Sequence, residues 1–412
     1  MKIFITGNAT CANRGDAAIL RGLLHELQLQ YPNSELVFTS RFPEGSSYLL
    51  GTNIERDILY DINKLSGSRF KRLRDKIFRN IRFDYLLNYV KYAWFRSILP
   101  LPKVYEEPMQ YLKQFDCLIQ VGGSFFIDLY GKNQYEWLMI SKLVNVPVYL
   151  VGHSLGPFLL NDVNKMASFL FPTAKKIYLR EASSYEYLET LDQKLDNVYL
   201  GSDTAWVMPD VKPSAVADAE LQSVSKPIIG LTVRGLAPFD KRLGISQDEY
   251  ETKVVVLLND LIDSGYHIAC LSMCTGLDGY VKDDRIVGLR IKKQLKQPEE
   301  MTVLMHEYND LELGYILQKC QLLIGTRLHS VILSLRYNTP ATAIFYEHKS
   351  EGVLRQLGLE DWSFYINDVG EDKMKNKIYE ILENTKTAKL RVYEAVSKEQ
   401  AKCKKMISEL FS

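Results

Sequence analysis

An arginine and a histidine stand two residues apart where a predicted strand gives way to a predicted helix. Residues 322–324 form a short apolar run typical of a buried parallel strand, and residues 328–335 have apolar residues at helical spacing. Arg327 and His329 therefore lie beside the N–H groups and the positive end of the predicted helix, where a guanidinium can bind a carboxylate or phosphate through two hydrogen bonds. The segment predicts a site for a small anion. The alternative is a capping threonine, a surface arginine and a packed histidine.

More charge follows two other predicted strands in this half of the chain. Arg234 comes directly after residues 228–233, and Lys349 belongs to a Glu-His-Lys triplet that follows residues 341–345. In an open α/β sheet, the carboxyl ends of the strands form the edge where ligands bind. Two arginines and a histidine at that edge favour an anion with two negative groups. For the Glu-His-Lys triplet, the alternative is a structural cluster of salt bridges.

A carboxylate is the reactive candidate in the first half of the chain. Asp16 stands at the start of a predicted helix, after a strand at residues 3–6 and a loop at residues 7–15. The loop lacks the G-x-G-x-x-G pattern, and an acidic residue at its end would repel a pyrophosphate, so we predict no dinucleotide site. Asp16 can instead orient or deprotonate a sugar hydroxyl. The alternative is a carboxylate that only stabilises the first turn of the helix.

Two further loops of the first half combine glycine with ionisable residues. Gly122 and Gly123 follow a predicted strand and would let a ligand approach the backbone, with Asp128 facing the same cleft. His153 stands at the end of the next predicted strand, where it could contact a ligand. The alternative is a structural histidine held by hydrogen bonds. This loop has no G-x-S-x-G motif, so we predict no nucleophile elbow.

Strands alternate with helical patterns along both halves, which predicts parallel, doubly wound sheets. The predicted strands are residues 3–6, 36–39, 117–121, 146–151, 176–179 and 197–200, then 227–233, 267–271, 302–304, 322–324 and 341–345. We therefore expect an α/β protein of two Rossmann-like domains facing a central cleft. The first spans residues 1–210, with an insertion at about 64–105, and the second spans 227–386 after a linker at 211–226. Residues 387–412 are predicted to form a helix that packs back on the first domain.

Composition narrows the class of protein. With 46% hydrophobic and 25% charged residues, the 412-residue chain is typical of globular proteins and long enough for two domains. Its net charge of +1 gives no reason to expect nucleic acid as a partner. The six cysteines include no C-x-x-C pair, which favours a reduced, cytoplasmic protein without structural zinc. Residues 1–6 do not have the length of a secretory signal, and Pro and Gly interrupt the uncharged residues 143–161, so we expect no transmembrane helix.

Residues 64–96 differ from the rest of the chain in charge. They hold ten Lys or Arg against two Asp, interleaved with aromatic residues. Such a segment can seat a helix in the surface of an anionic membrane, whereas the alternative is a solvated basic helix in an insertion. The first interpretation predicts peripheral contact with the inner face of the membrane.

The motifs, in their order along the chain, resemble those of the polysaccharide pyruvyl transferase family over nearly the whole length. The matching stretches are residues 7–8 with 13–24, 120–126 with 128–131, 152–154 with 156–158, 203–206, 236–244, 325–330 and 346–350. Each is weak alone, but seven in register are specific. Among the members, the similarity is greatest to those that act in colanic acid biosynthesis in enteric bacteria. Residues 64–96 match the family least.

The resemblance implies a fold like that of GT-B glycosyltransferases, phosphoenolpyruvate as the donor, and a sugar of an exopolysaccharide repeat unit, lipid-linked or free, as the acceptor. The product would be a cyclic pyruvate ketal bridging two sugar hydroxyls, with release of phosphate. The family's Arg-Leu-His motif maps onto Arg327, Leu328 and His329, and its donor-binding arginine maps onto Arg234. His153 stands where many members carry Gln. We expect no metal and no cofactor, since phosphoenolpyruvate is a substrate.

A role follows for each candidate residue. Arg234 and Arg327 would clamp the donor, His329 would act as acid or phosphate partner, and Asp16 or Asp128 would act as the base. The predicted donor site comprises Arg234, Arg327, Leu328, His329 and Lys349, and the predicted acceptor site comprises Asn8, Gly15, Asp16, Gly122, Gly123 and His153. Two alternative functions are a nucleotide-sugar glycosyltransferase on the same fold and a non-catalytic subunit that binds a saccharide.

Overall fold

The computed structural model describes residues 1–62, 81–237, 243–277, 282–345 and 348–412. Two sheets lie in this part of the chain. The first contains β1 (Lys2–Thr6), β2 (Glu35–Ser40), β3 (Glu55–Arg56), β4 (Cys117–Phe126), β5 (Val148–Leu155), β6 (Lys176–Leu179) and β7 (Val198–Leu200). The second contains β8 (Ile228–Thr232), β9 (His267–Leu271), β10 (Met301–Val303), β11 (Cys320–Gly325), β12 (Ala341–Phe345) and β13 (Ser363–Tyr365).

Both sheets are parallel and share one strand order. The first runs β3-β2-β1-β4-β5-β6-β7, and the second runs β10-β9-β8-β11-β12-β13. In each sheet the order reverses beside its first strand, at the β1–β4 and β8–β11 pairs, and such a switch point opens a crevice at the carboxyl ends of the strands. The predicted α/β architecture of two Rossmann-like domains is confirmed.

Helices connect the strands. Four of them position the site: α1 (Arg14–Gln30), α2 (Asp284–Lys292), α3 (Leu328–Arg336) and α4 (Thr385–Ser408). The other described helices are Pro43–Leu50, Ile58–Ile62, residues 81–91, Ala93–Ile98, Glu106–Leu112, Glu136–Val144, Asn161–Leu170, Ser184–Leu188, Ala215–Leu221, Gln247–Asp263, Asp310–Lys319, His348–Gln356 and Asp372–Glu383.

The alternation of side chains along β1 explains why the first sheet is covered on both faces. Ile3 and Ile5 belong to a core that includes α1, whereas Phe4 belongs to a core on the opposite face. The first of these cores continues into the second domain, where it includes Ile229 and Val331. The two domains are therefore joined by one apolar core.

The start of α1 is fixed against the second domain by polar contacts. The buried Arg14 guanidinium donates to the carbonyl of Tyr308 at 2.6 Å and to Glu307 at 2.8 Å. The backbone N–H of Arg14 donates to the carbonyl of Met273 at 2.7 Å. Since a buried charge is costly unless it is paired, these contacts hold the first turn of α1 at the domain boundary.

The segment predicted as a linker contains the helix Ala215–Leu221, and the Ser214 side chain caps its start by accepting from the N–H of Ala217. This helix was not predicted. At the end of the chain, α4 lies against the first domain: Gln400 donates to the carbonyl of Trp206 at 3.1 Å, and the Tyr31 hydroxyl donates to the carbonyl of Ile407 at 3.0 Å.

Residues 64–80 of the basic segment lie outside the described residues. In the described remainder, Arg82 is buried in an ion pair with Glu136 at 2.7 Å, so this charge does not face solvent. By contrast, the helix Ala93–Ile98 has no buried residue. Among the described helices, none is both long and apolar enough to cross a membrane.

Candidate functional site

A cleft of about 420 Å³ lies between the domains. Residues at the carboxyl ends of strands from both sheets line it: Gly123 in β4 and Arg180 after β6, then Arg234 after β8 and Arg327 after β11. Asp16, in the first turn of α1, lines the same cleft. The two crevices thus open onto one space, as expected for Rossmann-like domains that face each other.

Three cations converge on the side of the cleft formed by the second domain: Arg234, Lys282 and Arg327. Burial and the charge of Arg327 lower the pKa of Arg234 to about 10, and burial with the charges of both arginines lowers the pKa of Lys282. Asp284 accepts a hydrogen bond from Nη2 of Arg327 and is itself buried. Three positive charges around one paired carboxylate suit an anion with more than one negative group.

Hydrogen bonds fix the turn that carries Arg327. The Ser330 hydroxyl donates to the carbonyl of Arg327 at 2.6 Å and lies 2.6 Å from the hydroxyl of Thr232 on β8. The hydroxyls of Thr326 and Tyr250 lie 2.8 Å apart. The arginine therefore projects from a rigid strand-to-helix junction, which favours a precise anion contact.

Asp16 is the carboxyl group whose acidity is tuned in the cleft. Burial raises the pKa of Asp16 to about 6, although the charge of His329, a hydrogen bond with Asn13 and the charges of Arg180 and Arg41 act in the opposite direction. A carboxyl group that titrates near neutral pH can both accept and release a proton during a reaction. Asp16 therefore has the chemistry of a general base.

His329 faces a carboxylate of the first domain at ion-pair distance. Its Nε2 lies 3.4 Å from Oδ2 of Asp203, which also accepts from Nη1 of Arg180 at 3.0 Å. Oδ1 of Asp203 accepts from the backbone N–H of Ala205 at 2.9 Å. Burial opposes ionisation of Asp203, but the contacts with His329, Arg180 and this N–H outweigh it and hold its pKa below the usual range. An ionised Asp203 thus positions His329 across the domain boundary.

Glycine at position 15 lets the starts of α1 and α3 meet. A Cβ atom added to Gly15 would lie 2.7 Å from Cγ of His329, closer than side-chain atoms approach each other. The predicted acceptor role of Gly15 is therefore better described as a steric one. Its missing side chain allows His329 to lie beside the helix turn that carries Asp16.

Arg180, Asp203 and Lys282 were not among the predicted site residues. Arg180 directly follows β6, which is the same position that singled out Arg234, so this signal was available in the sequence. It also donates to the hydroxyls of Ser124 at 3.0 Å and Ser154 at 2.7 Å. Asp203 stands in one of the stretches that resemble the family, whereas no pattern marks Lys282.

Asp128 does not line the cleft. Its carboxylate accepts from the backbone N–H groups of Leu159 at 2.7 Å and Leu160 at 3.3 Å. Its neighbours Ile127 and Leu129 line the cleft, so the chain passes beside the cleft while these two hydrogen bonds hold the Asp128 carboxylate away from it. The expectation that it faces the cleft is corrected, and Asp16 is left as the candidate base.

His153 and Gly122 also lie outside the cleft. The His153 ring is fully buried inside β5, donates from Nε2 to the carbonyl of Gln120 at 3.0 Å, and packs beside Phe126. Burial lowers its pKa to about 4, so the ring is neutral near pH 7. A Cβ atom at Gly122 would lie 2.2 Å from the carbonyl oxygen of Gly152. Both residues thus serve the packing of β4 against β5, which corrects their predicted acceptor role.

The remaining predicted residues divide among three places. Gly123 and Leu328 line the cleft with Asp16, and Asn8 lines an adjoining cavity in the first domain. The side chain of Lys349 lies outside the described part of the chain, so its predicted donor contact stays a prediction.

Residues 13–348 match the model of the family described as polysaccharide pyruvyl transferase. The chain belongs to this family. It is 40% identical to the amylovoran biosynthesis protein AmsJ of Erwinia amylovora over 404 residues, which are 97% of this chain and 96% of that protein. This pyruvyl transferase family member is therefore related to a protein of an exopolysaccharide pathway.

Solved structures with similar architecture include the UDP-GlcNAc 2-epimerase from Neisseria meningitidis bound to UDP-GlcNAc. It has a TM-score of 0.58 and 13% identity over 100% of this chain and 99% of its own. A putative UDP-N-acetylglucosamine 2-epimerase from Listeria monocytogenes has a TM-score of 0.59 and 11% identity, and the match covers 99% of this chain and 93% of that one. At such identities the likeness supports the GT-B-like fold and not the activity.

Proposed function

We propose that this pyruvyl transferase family member moves the pyruvyl group of phosphoenolpyruvate onto two hydroxyls of a sugar in an exopolysaccharide repeat unit. The products are a cyclic ketal and inorganic phosphate. One observation carries the proposal: a cluster of three cations lies in the same cleft as a carboxyl group with a pKa of about 6 and a histidine paired to a buried carboxylate.

The cation cluster matches the donor in charge and shape. Phosphoenolpyruvate carries a carboxylate and a phosphate, and a guanidinium binds such planar or multidentate anions through two hydrogen bonds. Arg234 and Arg327 supply two guanidinium groups, and Lys282 adds a compact charge. Binding the donor would offset the burial and the mutual repulsion that together lower the pKa values of Arg234 and Lys282.

The chemistry needs one acid and one base. In the proposed reaction, His329 donates a proton to the methylene carbon of the donor, which leaves C2 electron-poor. One sugar hydroxyl then attacks C2 and gives its proton to Asp16. The second hydroxyl attacks the same carbon, the C2–O bond to phosphate breaks, and the second hydroxyl proton leaves with the phosphate. Return of the Asp16 proton to His329 through solvent resets both groups, so in net terms one hydroxyl proton becomes part of the new methyl group and no other reactant is required.

The direct test uses phosphoenolpyruvate with candidate repeat-unit oligosaccharides, lipid-linked or free, beginning with those of the colanic acid type. We expect release of inorganic phosphate and a product whose mass has increased by one pyruvate less one water. Phosphoenolpyruvate should also raise the melting temperature, because a ligand at about 100 times its Kd stabilises by about 2.7 kcal/mol. Stabilisation by nucleotide sugars and not by phosphoenolpyruvate would instead indicate a glycosyltransferase.

We also propose peripheral contact with an anionic membrane, supported by the described end of the basic segment. Trp94 and Ile98 on the helix Ala93–Ile98 are 60% and 70% exposed, and Lys91 and Arg96 lie beside them. Exposed rings next to basic residues suit the membrane surface. The protein should sediment with anionic vesicles more than with neutral ones, and a Trp94→Ser, Ile98→Ser variant should lose this binding. Equal sedimentation with both vesicle types would contradict membrane contact.

A further inference from the structure

A second cavity, which we term the side cavity, adjoins the cleft within the first domain. Its volume is about 670 Å³, within the range of roughly 300–1,000 Å³ that is usual for small-molecule sites. Arg41, Tyr130 and Gln134 line both the side cavity and the cleft. A molecule that reacts in the cleft can therefore extend into the side cavity.

Aromatic rings and amides dominate the wall of the side cavity. The rings belong to Tyr60, Phe83, Tyr130 and Trp137, and the amides belong to Asn8, Gln120, Asn133 and Gln134. A ring can pack against the apolar face of a pyranose, and an amide can both donate to and accept from its hydroxyls. This combination suits a sugar better than an apolar ligand.

Two of the amides are buried and have an unpaired acceptor among the described residues. The Gln120 amide donates from Nε2 to the backbone and side-chain oxygens of Gln134, at 3.2 and 3.3 Å, so its Oε1 is the atom without a partner there. Oδ1 of Asn8 likewise has none in the described structure. Buried acceptors are usually paired, and the hydroxyls of a bound sugar would supply donors.

The charges around the side cavity are largely balanced, since Arg41 and Asp57 line it with one charge of each sign and its other charged residues form ion pairs. Lys132 forms ion pairs with Asp84 at 2.7 Å and Asp162 at 2.8 Å, and Glu136 pairs with Arg82 at 2.7 Å. The cleft, in contrast, holds the three clustered cations described above. A phosphate or diphosphate group on a ligand would therefore favour the cleft. The side cavity favours an uncharged polyol.

We infer that the side cavity binds the uncharged sugar unit next to the sugar that receives the pyruvyl group. The inference rests on the proposed function and names the acceptor class more narrowly: an oligosaccharide of at least two sugar units. The second unit contributes affinity and orientation, and the hydroxyls that react belong to the first.

The test compares monosaccharide and disaccharide probes on the whole protein. Methyl β-galactoside, methyl β-glucoside, lactose and cellobiose are titrated by saturation-transfer NMR, with and without phosphoenolpyruvate. The variant Tyr60→Ala, Asn133→Ala removes a ring and an amide of the side cavity. The control Tyr48→Ala, Asn53→Ala removes the same groups from exposed positions that line neither the cleft nor the side cavity.

We expect the disaccharides to bind more tightly than the methyl glycosides, with NMR saturation transferred from the protein to both sugar rings. The side-cavity variant should bind the disaccharides more weakly by at least the roughly two- to tenfold loss expected for the amide hydrogen bond alone, and bind the methyl glycosides unchanged. Equal disaccharide affinity in both variants, or no preference for disaccharides in the parent, would overturn the inference. Phosphoenolpyruvate binding in the same samples is a separate measurement, and its absence in the parent would contradict the proposed donor alone.

Discussion

Replacing Arg327 by lysine tests the proposed donor site most directly. The guanidinium is held by the buried Asp284 and faces the cleft beside Arg234 and Lys282. Lysine keeps the charge, but it cannot hold Asp284 and grip a planar anion with a two-pronged contact at the same time. Losing one charge-assisted hydrogen bond costs about 1.5–3 kcal/mol, or about ten- to a hundredfold in Kd for phosphoenolpyruvate. The assay is calorimetric titration with phosphoenolpyruvate.

Arg336→Lys provides a matched control on the same helix. The Arg327 and Arg336 side chains are similarly buried, at 12% and 15% exposed, but Arg336 donates to the carbonyl of Met208, pairs with the exposed Asp210 and does not line the cleft. Comparing the two variants separates the cost of replacing a partly buried arginine from the loss of donor contact. Unchanged phosphoenolpyruvate affinity in Arg327→Lys, or equal weakening in Arg336→Lys, would refute the assignment of Arg327 as a clamp.

Four further substitutions probe the rest of the cleft. Lys282→Gln should weaken phosphoenolpyruvate binding yet raise the melting temperature of the free protein, since it removes a charge that burial and repulsion from the two arginines both disfavour; a lower melting temperature with intact binding would argue against an anion site. His329→Gln should lower turnover at saturating donor by about 10²–10⁴-fold, and parental turnover would exclude an acid role. Turnover of the parent should rise as pH increases through about 6, where Asp16 loses its proton, and Asp16→Asn should be slow without this rise; a rise that survives the substitution belongs to another group. Gly15→Ala should reduce turnover more than donor binding, because the new methyl group would collide with the His329 ring; turnover equal to the parent's would show that the close contact is unnecessary.

The order of strands and helices could be predicted from the sequence because each buried parallel strand is a short apolar run bounded by turn residues. Every predicted strand overlaps an observed one, including residues 3–6 with β1 and 322–324 with β11. The strand β3 was missed because its two residues, Glu55 and Arg56, are charged and form no apolar run. The three-residue strand β13 was also missed. The helix Ala215–Leu221 was missed because the surrounding Pro, Ser and acidic residues are typical of a linker.

Position after a strand or at the start of the helix that follows it was enough to bring Arg234, Arg327, His329 and Asp16 into one cleft. In a parallel sheet the carboxyl ends of the strands share one edge, so order along the chain is sufficient to place such residues together. The same rule failed for His153, because β5 runs two residues beyond it and its ring lies inside the sheet. A strand's final length depends on pairing with its neighbours, which the local sequence does not contain.

The sequence by itself determined the fold class, the family and the two arginines and the histidine of the predicted anion site, because local apolar patterns and short motifs carry that information. Only the tertiary structure decided that Lys282 joins the arginines, that Asp203 of the first domain faces His329 of the second, and that the pKa of Asp16 is raised. These properties depend on burial and on charges that come from distant parts of the chain. Since electrostatic energy depends on distance and solvent exposure, it is fixed only when the two domains have packed against each other.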